Sequence, residues 1–192
     1  VGMGGATFPT HIKLSPPPEK NINTVILNAA ECEPYLTADH RVLLEETADV
    51  VHGLEAVKKA VGADRVIIGI ENDKMDAVEK LKVANKNDLF EIKVLPAKYP
   101  TGAEKVLVKK TTGKKVPLTG IPLDVGVLVI NVGTVAQISK TLKTGLPLID
   151  RVMTVSGEGF SNPGNYRVSI GTPFEKIVKL NVAEQDFNKY SL

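Results

Sequence analysis

Apolar residues along this chain change period repeatedly, and each change marks an element. "TVILNAA" (24–30) is a short β-branched run of the kind that forms a buried strand. Leu43, Leu44, Ala48, Val51, Leu54, Val57 and Ala60 then recur at helical spacing up to Gly62, which predicts one long helix. "RVIIGI" (65–70) reads as a second strand, Asp73 as the cap of a helix through about Ala84, and "FEIKVL" (90–95) as a third strand. A helix from Thr101 to about Lys110, the strand "GVLVINV" (126–132) and a helix from Thr134 to Lys143 before Gly145 continue the alternation. Strands alternating with helices predict an α/β fold, a mostly parallel sheet with helices on both faces. After Gly145 and Pro147, strand-like runs flank "SNPGN", a turn signal, and one short helix follows. We place a boundary there, with an α/β domain over residues 1–147 and a smaller unit over 148–192. The last stretch, "NVAEQDFNKYSL", has no clear period and reads as a frayed end.

Length and charge narrow the class. With 192 residues the chain can bury a substantial core, and 24 basic against 22 acidic side chains leave a formal charge of +2. Nucleic-acid binding calls for a concentrated basic excess, so that class drops out. The apolar runs are strand length and no signal-peptide pattern is present, so a cytoplasmic setting is expected. The single cysteine, Cys32, excludes an internal disulfide, a four-cysteine iron–sulfur cluster and a structural zinc site within this chain. His11, His40 and His52 are scattered without metal-ligand spacing, and no nucleophile elbow occurs, so no metal or triad hydrolase chemistry is expected. The start at Val1, directly in a glycine loop, suggests a piece of a longer protein.

In open α/β sheets ligands lie beyond the carboxyl ends of strands, where loops meet helix N-termini. Four segments fall there: "GMGGATFPTHIK" (2–13), "NAAECEP" (28–34), "KYPTGAEK" (98–105) and "INVGT" (130–134). The first can bring bare backbone N–H groups against a ligand, although it lacks the preceding strand and the third glycine of the dinucleotide fingerprint. Glu31 and Glu33 follow directly on an apolar strand, where carboxylates are expensive unless solvated or in use. An exposed helix entry is the plain alternative. Thr101 with Glu104, and Thr134 with Gln137, match the capping box, and a capped helix start still offers N–H groups to an anion.

Taken together, these four segments resemble the NADH- and FMN-binding domain shared by the C subunit of the Rnf electron-transport complex and the flavoprotein subunit of respiratory complex I. "GGATFPTHIKL", "NAAECEPYLTADHR", "YPTGAEK" and "VINVGT" are closest to the Rnf protein, and the likeness runs through nearly the whole chain. The resemblance implies a Rossmann-like sheet followed by a small, incomplete β-grasp-like soluble-ligand-binding (SLBB) module. It implies that Gly2, Gly4, Gly5 and Lys13 border FMN. Asn28, Glu31, Tyr99 and Gly102 would line the flavin, and Asn131 and Thr134 would hold its phosphate end. Phe8, Lys13, Glu33 and Glu104 would meet NADH, with Phe8 packed on the nucleotide and Glu104 disfavouring the extra phosphate of NADPH. Met3, Ala30, Ala103 and Ile130 depart from the complex I pattern. Glu158 and Arg167 read as isolated charges, which gives the second unit a packing or docking role.

The implied function is electron transport. Non-covalent FMN would stand between NADH, a two-electron donor, and 4Fe-4S clusters outside this chain, which accept electrons singly. Partners would be the other subunits of a membrane-bound complex, with this chain peripheral on the cytoplasmic face and not inserted. No catalytic side chain or metal ligand is assigned. The alternatives are a cobalamin-reductase-type or amino-acid-reductase-associated NADH-dependent flavoprotein, or an interaction module that has lost the flavin.

Overall fold

A computed structural model describes Gly2 and residues 7–181. Gly4 and Gly5 of the expected glycine loop, and the tail from residue 182, lie outside the described residues. Four parallel strands, β1 (Thr24–Ala29), β2 (Arg65–Glu71), β3 (Glu91–Leu95) and β4 (Val127–Asn131), form one sheet in the order β3-β2-β1-β4. Helices α1 (Thr10–Lys13), α2 (Ala38–Glu45), α3 (Thr47–Val61), α4 (Met75–Ala84), α5 (Glu104–Thr112) and α6 (Val132–Thr144) surround it.

Side chains alternate along each strand, so the sheet has two distinct faces. Val25, Leu27, Val66, Ile68, Leu128 and Ile130 are buried under α2, α3, α4 and α6, which carry the larger core. Ile26, Ile67, Val127 and Val129 face Leu107 and Val108 of α5. Both faces are covered as expected, but unequally, and space remains beside α5. The strand order makes β1 the point where connections reverse: β2 and β3 lie to one side and β4 to the other. Register sets Asn28 of β1 opposite Asn131 of β4. Both asparagines therefore stand at the carboxyl end of the switch point, where sheets of this kind hold ligands.

Four helix starts differ from the sequence reading. The helix expected to run unbroken through 43–60 stops at Glu46, whose φ of −122° and ψ of 29° are not helical. The Glu46 carboxylate there accepts Lys140 of α6 at 2.7 Å and also meets Arg167. Asp73 does not cap α4. Lys74 holds that position, and its buried ammonium pairs with Asp73 at 2.9 Å and Glu71 at 3.2 Å. Thr101 does not open α5, because its hydroxyl donates to the Lys98 carbonyl at 2.6 Å and accepts from Lys110 at 2.7 Å. The helix starts at Glu104, and no capping box closes. Thr134 is not the cap of α6 either: Asn131 Oδ1 accepts the N–H groups of Gly133 at 3.0 Å and Thr134 at 3.4 Å. At Glu46 the partners come from distant elements, whereas at Asp73, Thr101 and Asn131 a different neighbour in the chain takes the bond.

Beyond α6, β5 (Asp150–Val155) and β6 (Gly164–Ser169) form an antiparallel hairpin followed by α7 (Phe174–Asn181). The hairpin is tied to the start of α2, where the Thr37 N–H donates to Thr154 Oγ1 at 3.1 Å and Asn165 Nδ2 donates to Thr37 Oγ1 at 2.8 Å. Arg167 is not the isolated charge its sequence context suggests, since it pairs with Asp150 at 2.8 Å as well as with Glu46. Among the described residues no helix is long and apolar enough to cross a membrane, and no cluster of three or more His, Cys, Asp or Glu is placed to hold a metal ion.

Candidate functional site

Two cavities open at the carboxyl end of the sheet. The first, about 540 Å³, occupies the space beside α5: Leu123, Val127 and Val129 line its apolar part, and Phe8, Thr10, Lys13 and Glu104 its rim. The second, about 530 Å³, lies between the loop after β1, α2, α6 and the hairpin. We call them the sheet cavity and the hairpin cavity. Asn28, Gly102, Ala103 and Asn131 line both and form their shared wall.

Gly2, Lys13, Asn28, Gly102, Asn131 and Thr134, with Phe8 and Glu104, come together around the sheet cavity. Glu31, Glu33 and Tyr99 line the hairpin cavity instead. Residues separated by more than a hundred positions thus meet at one switch point.

The shared wall is built by amides that bond inward. Asn28 Nδ2 donates to the Gly102 carbonyl at 2.9 Å while Asn28 Oδ1 accepts the Ala30 N–H at 3.2 Å. One side chain thereby ties the loop after β1 to the loop before α5. Gly102 is required by this approach, since a Cβ there would lie 2.3 Å from the Ala30 carbonyl oxygen. The Gly102 N–H points to Cys32 Sγ at 3.4 Å. Asn131 likewise spends Oδ1 on capping α6 and gives Nδ2 to Asp39 Oδ2 at 2.6 Å.

Charges are arranged at both cavities. Lys13 and Glu104 meet at 3.3 Å, with side chains 25% and 47% exposed. Exposed pairs of this kind are worth about 0–1 kcal/mol, so a ligand can separate them cheaply. Phe8, half exposed, offers an aromatic face at the rim. The Glu31 carboxylate accepts the N–H groups of Asp39 at 3.0 Å and His40 at 3.1 Å, which caps α2 from a distant loop. Burial, and then the neighbouring Glu31 charge, push the Asp39 carboxyl up to about 6, against opposing bonds from Asn131 and the Gly133 N–H and the charge of Arg151.

Three lining residues escape a reading of the sequence. Asp39 stands in the first turn of a helix, where an acid ordinarily complements the dipole. Arg151 lies in the hairpin, which sequence marks only as strand. Thr10 lines the sheet cavity, and its hydroxyl is buried without a hydrogen-bond partner among the described residues. Nothing local distinguishes any of the three.

A family model described as the Nuo51 FMN-binding domain matches residues 1–140. Over 93% of its length the chain is 49% identical to the C subunit of the Na⁺-translocating ferredoxin:NAD⁺ oxidoreductase complex of Acetobacterium woodii. It is 48% identical over 93% to the C subunit of the proton-translocating ferredoxin:NAD⁺ oxidoreductase complex of Clostridium ljungdahlii. The C subunit of the ion-translocating oxidoreductase complex of Rhodobacter capsulatus is 42% identical, again over 93% of the chain. The chain spans 40%, 39% and 35% of these relatives, respectively. Among solved structures, an NAD⁺-reducing [NiFe]-hydrogenase in the H₂-reduced state superposes with a TM-score of 0.81 over 94% of this chain and 37% of that one. At 22% identity that likeness concerns the fold alone.

Proposed function

The chain belongs to the Nuo51 FMN-binding domain family, and from that premise we propose that it binds FMN non-covalently in the sheet cavity and a nicotinamide nucleotide at its rim. It then serves as the flavin domain of an Rnf-type C subunit, passing electrons between NADH and iron–sulfur clusters outside this chain. The observation that carries this reading is the switch point itself, where Asn28 and Asn131 are sheet neighbours and Lys13, Thr10 and an apolar slot face the same space.

The residues suit such a ligand. The volume falls within the roughly 300–1,000 Å³ usual for cofactor pockets, with apolar walls and few polar groups. Thr10, whose buried hydroxyl has no partner among the described residues, adds a polar residue to the wall. Lys13 supplies positive charge for a phosphate, and because its bond to Glu104 is weak it can turn to that task. Asn131 and its partners hold the start of α6, and Asn28 holds the two loops that frame the opening. Phe8 gives the nucleotide a flat face. Bound FMN supplies the exchange between a two-electron donor and one-electron acceptors. The acceptor clusters, the partner subunits and a peripheral position on a membrane complex belong to the same proposal.

Titration of the purified chain with FMN tests it. Flavin fluorescence should be quenched with a Kd below about 100 μM, and NADH should bleach the bound flavin. Cys32, the single cysteine, lies behind the shared wall with its sulfur against the Gly102 N–H, so FMN that firms this wall should also slow its alkylation. Fluorescence unquenched at that concentration, with Cys32 unprotected, overturns the assignment.

Nucleotide choice provides a second test. A 2′-phosphate adds about −2 charge, and at 4 Å with an effective dielectric near 20 each unit pair repels by roughly 4 kcal/mol. Glu104 is half exposed, so solvent removes most of that. A surviving quarter still gives about fivefold discrimination. Glu104→Gln removes the repulsion and frees Lys13, two changes of the same sign. The ratio of flavin reduction rates with NADH and NADPH should therefore shift about fivefold toward NADPH. An unchanged ratio removes Glu104 from the nucleotide site.

A further inference from the structure

Asp39 lines the hairpin cavity, where it touches Asn131 of the shared wall and takes no part in holding FMN or NADH. Its carboxylate accepts Asn131 Nδ2 at 2.6 Å. An asparagine amide can face its surroundings either way round, with donor and acceptor exchanged. Here the carboxylate accepts only, so Nδ2 must point to Asp39 and Oδ1 must point to the N–H groups of Gly133 and Thr134. We propose that Asp39 is a positioning residue, whose ionised carboxylate locks the Asn131 amide and thereby the start of α6 and the shared wall. The proposal rests on the FMN reading for its consequence but not for its geometry.

The lock responds to pH. Burial and Glu31 set the Asp39 carboxyl near 6, so it is ionised at pH 7.5 and mostly neutral at pH 5. The groups facing Asp39 are Glu31 from the loop after β1, Asn131 and the Gly133 N–H at the start of α6, and Arg151 from β5. Other charges on the same cavity are engaged elsewhere: Glu46 with Lys140 and Arg167, and Asp150 with Arg167. Glu33 is exposed, and the His40 ring contacts Asp76 Oδ1 at 2.8 Å. Protonation replaces a charge-assisted bond to Asn131 with a weaker neutral one, so the amide, still oriented by the Gly133 and Thr134 N–H groups, is held less firmly.

Asp39→Asn imitates the neutral form, and its FMN affinity is compared with that of the wild type at two pH values. The FMN phosphate itself titrates near 6, so the ratio of the two dissociation constants is read rather than either alone. The variant should bind FMN about tenfold more weakly at pH 7.5 and equally well at pH 5. A second readout needs no ligand: in the free wild-type protein the Asn131 side-chain amide resonances should titrate with a midpoint near pH 6, and Asp39→Asn should abolish that titration. A ratio of one at both pH values, or Asn131 resonances that do not move, overturns the lock. Failure of the wild type to bind FMN at either pH overturns the FMN reading instead, and the Asn131 titration then decides the lock by itself.

Discussion

Gly53→Ala is expected to destabilise the chain by about 2 kcal/mol, although the same change in an exposed helix is stabilising. Gly53 lies in the middle of α3 where that helix crosses α6, and a Cβ there would stand 2.1 Å from the Val135 carbonyl oxygen and 2.8 Å from Val135 Cγ1. The first of these is helix backbone, which cannot yield without moving α6 as a body. Alanine recovers about 1 kcal/mol of helix propensity, while overpacking a tight core costs about 1–3 kcal/mol and a backbone clash this close belongs at the upper end. For a chain of this size the melting temperature should fall by about 4–8 °C. An equal or higher melting temperature would show that α3 and α6 have room to spare. Because α6 begins at the Asn131 cap, weaker FMN binding should accompany the loss.

Gly102→Ala should have the opposite signature, a small change in stability and a loss of about 30-fold in FMN affinity, near 2 kcal/mol. The added Cβ would meet the Ala30 carbonyl oxygen at 2.3 Å and Cys32 Sγ at 3.2 Å. Relief requires the loop before α5 to retreat from the loop after β1, which breaks the Asn28 bond to the Gly102 carbonyl. These loops lie beyond the ends of the strands, so the larger buried cluster stays intact and the smaller one is touched only at its edge, at Ala30. The wall common to both cavities does not stay intact. Calorimetric titration with FMN beside a thermal melt separates the effects. Affinity within twofold of wild type would place the ligand away from this wall.

The two glycines differ in how they present themselves along the chain. Gly102 stands in "KYPTGAEK", a loop that follows a strand, and its motif marks it at once. Gly53 stands in a helical run, where a glycine carries no message until the partner helix is in place. Phe8 and Lys13 near the N-terminus and Glu104 far along the chain belong to motifs read separately, and that they share a cavity follows only from the strand order.

By itself the sequence determined the α/β alternation, the loops that follow β1, β3 and β4, and the family to which the chain belongs. These rest on periodicity, turn chemistry and ordered motifs, all of which are local or read in chain order. Only the tertiary structure decided which polar groups bond. Glu104 turns to Lys13 rather than closing a capping box, Glu46 breaks the long helix where Lys140 and Arg167 reach it, and Asp39 meets Asn131 across 92 positions. A polar side chain takes the partner that geometry brings within about 3 Å, and burial makes an unpaired alternative costly. Such a choice depends on every element packed around it and leaves no period in the sequence.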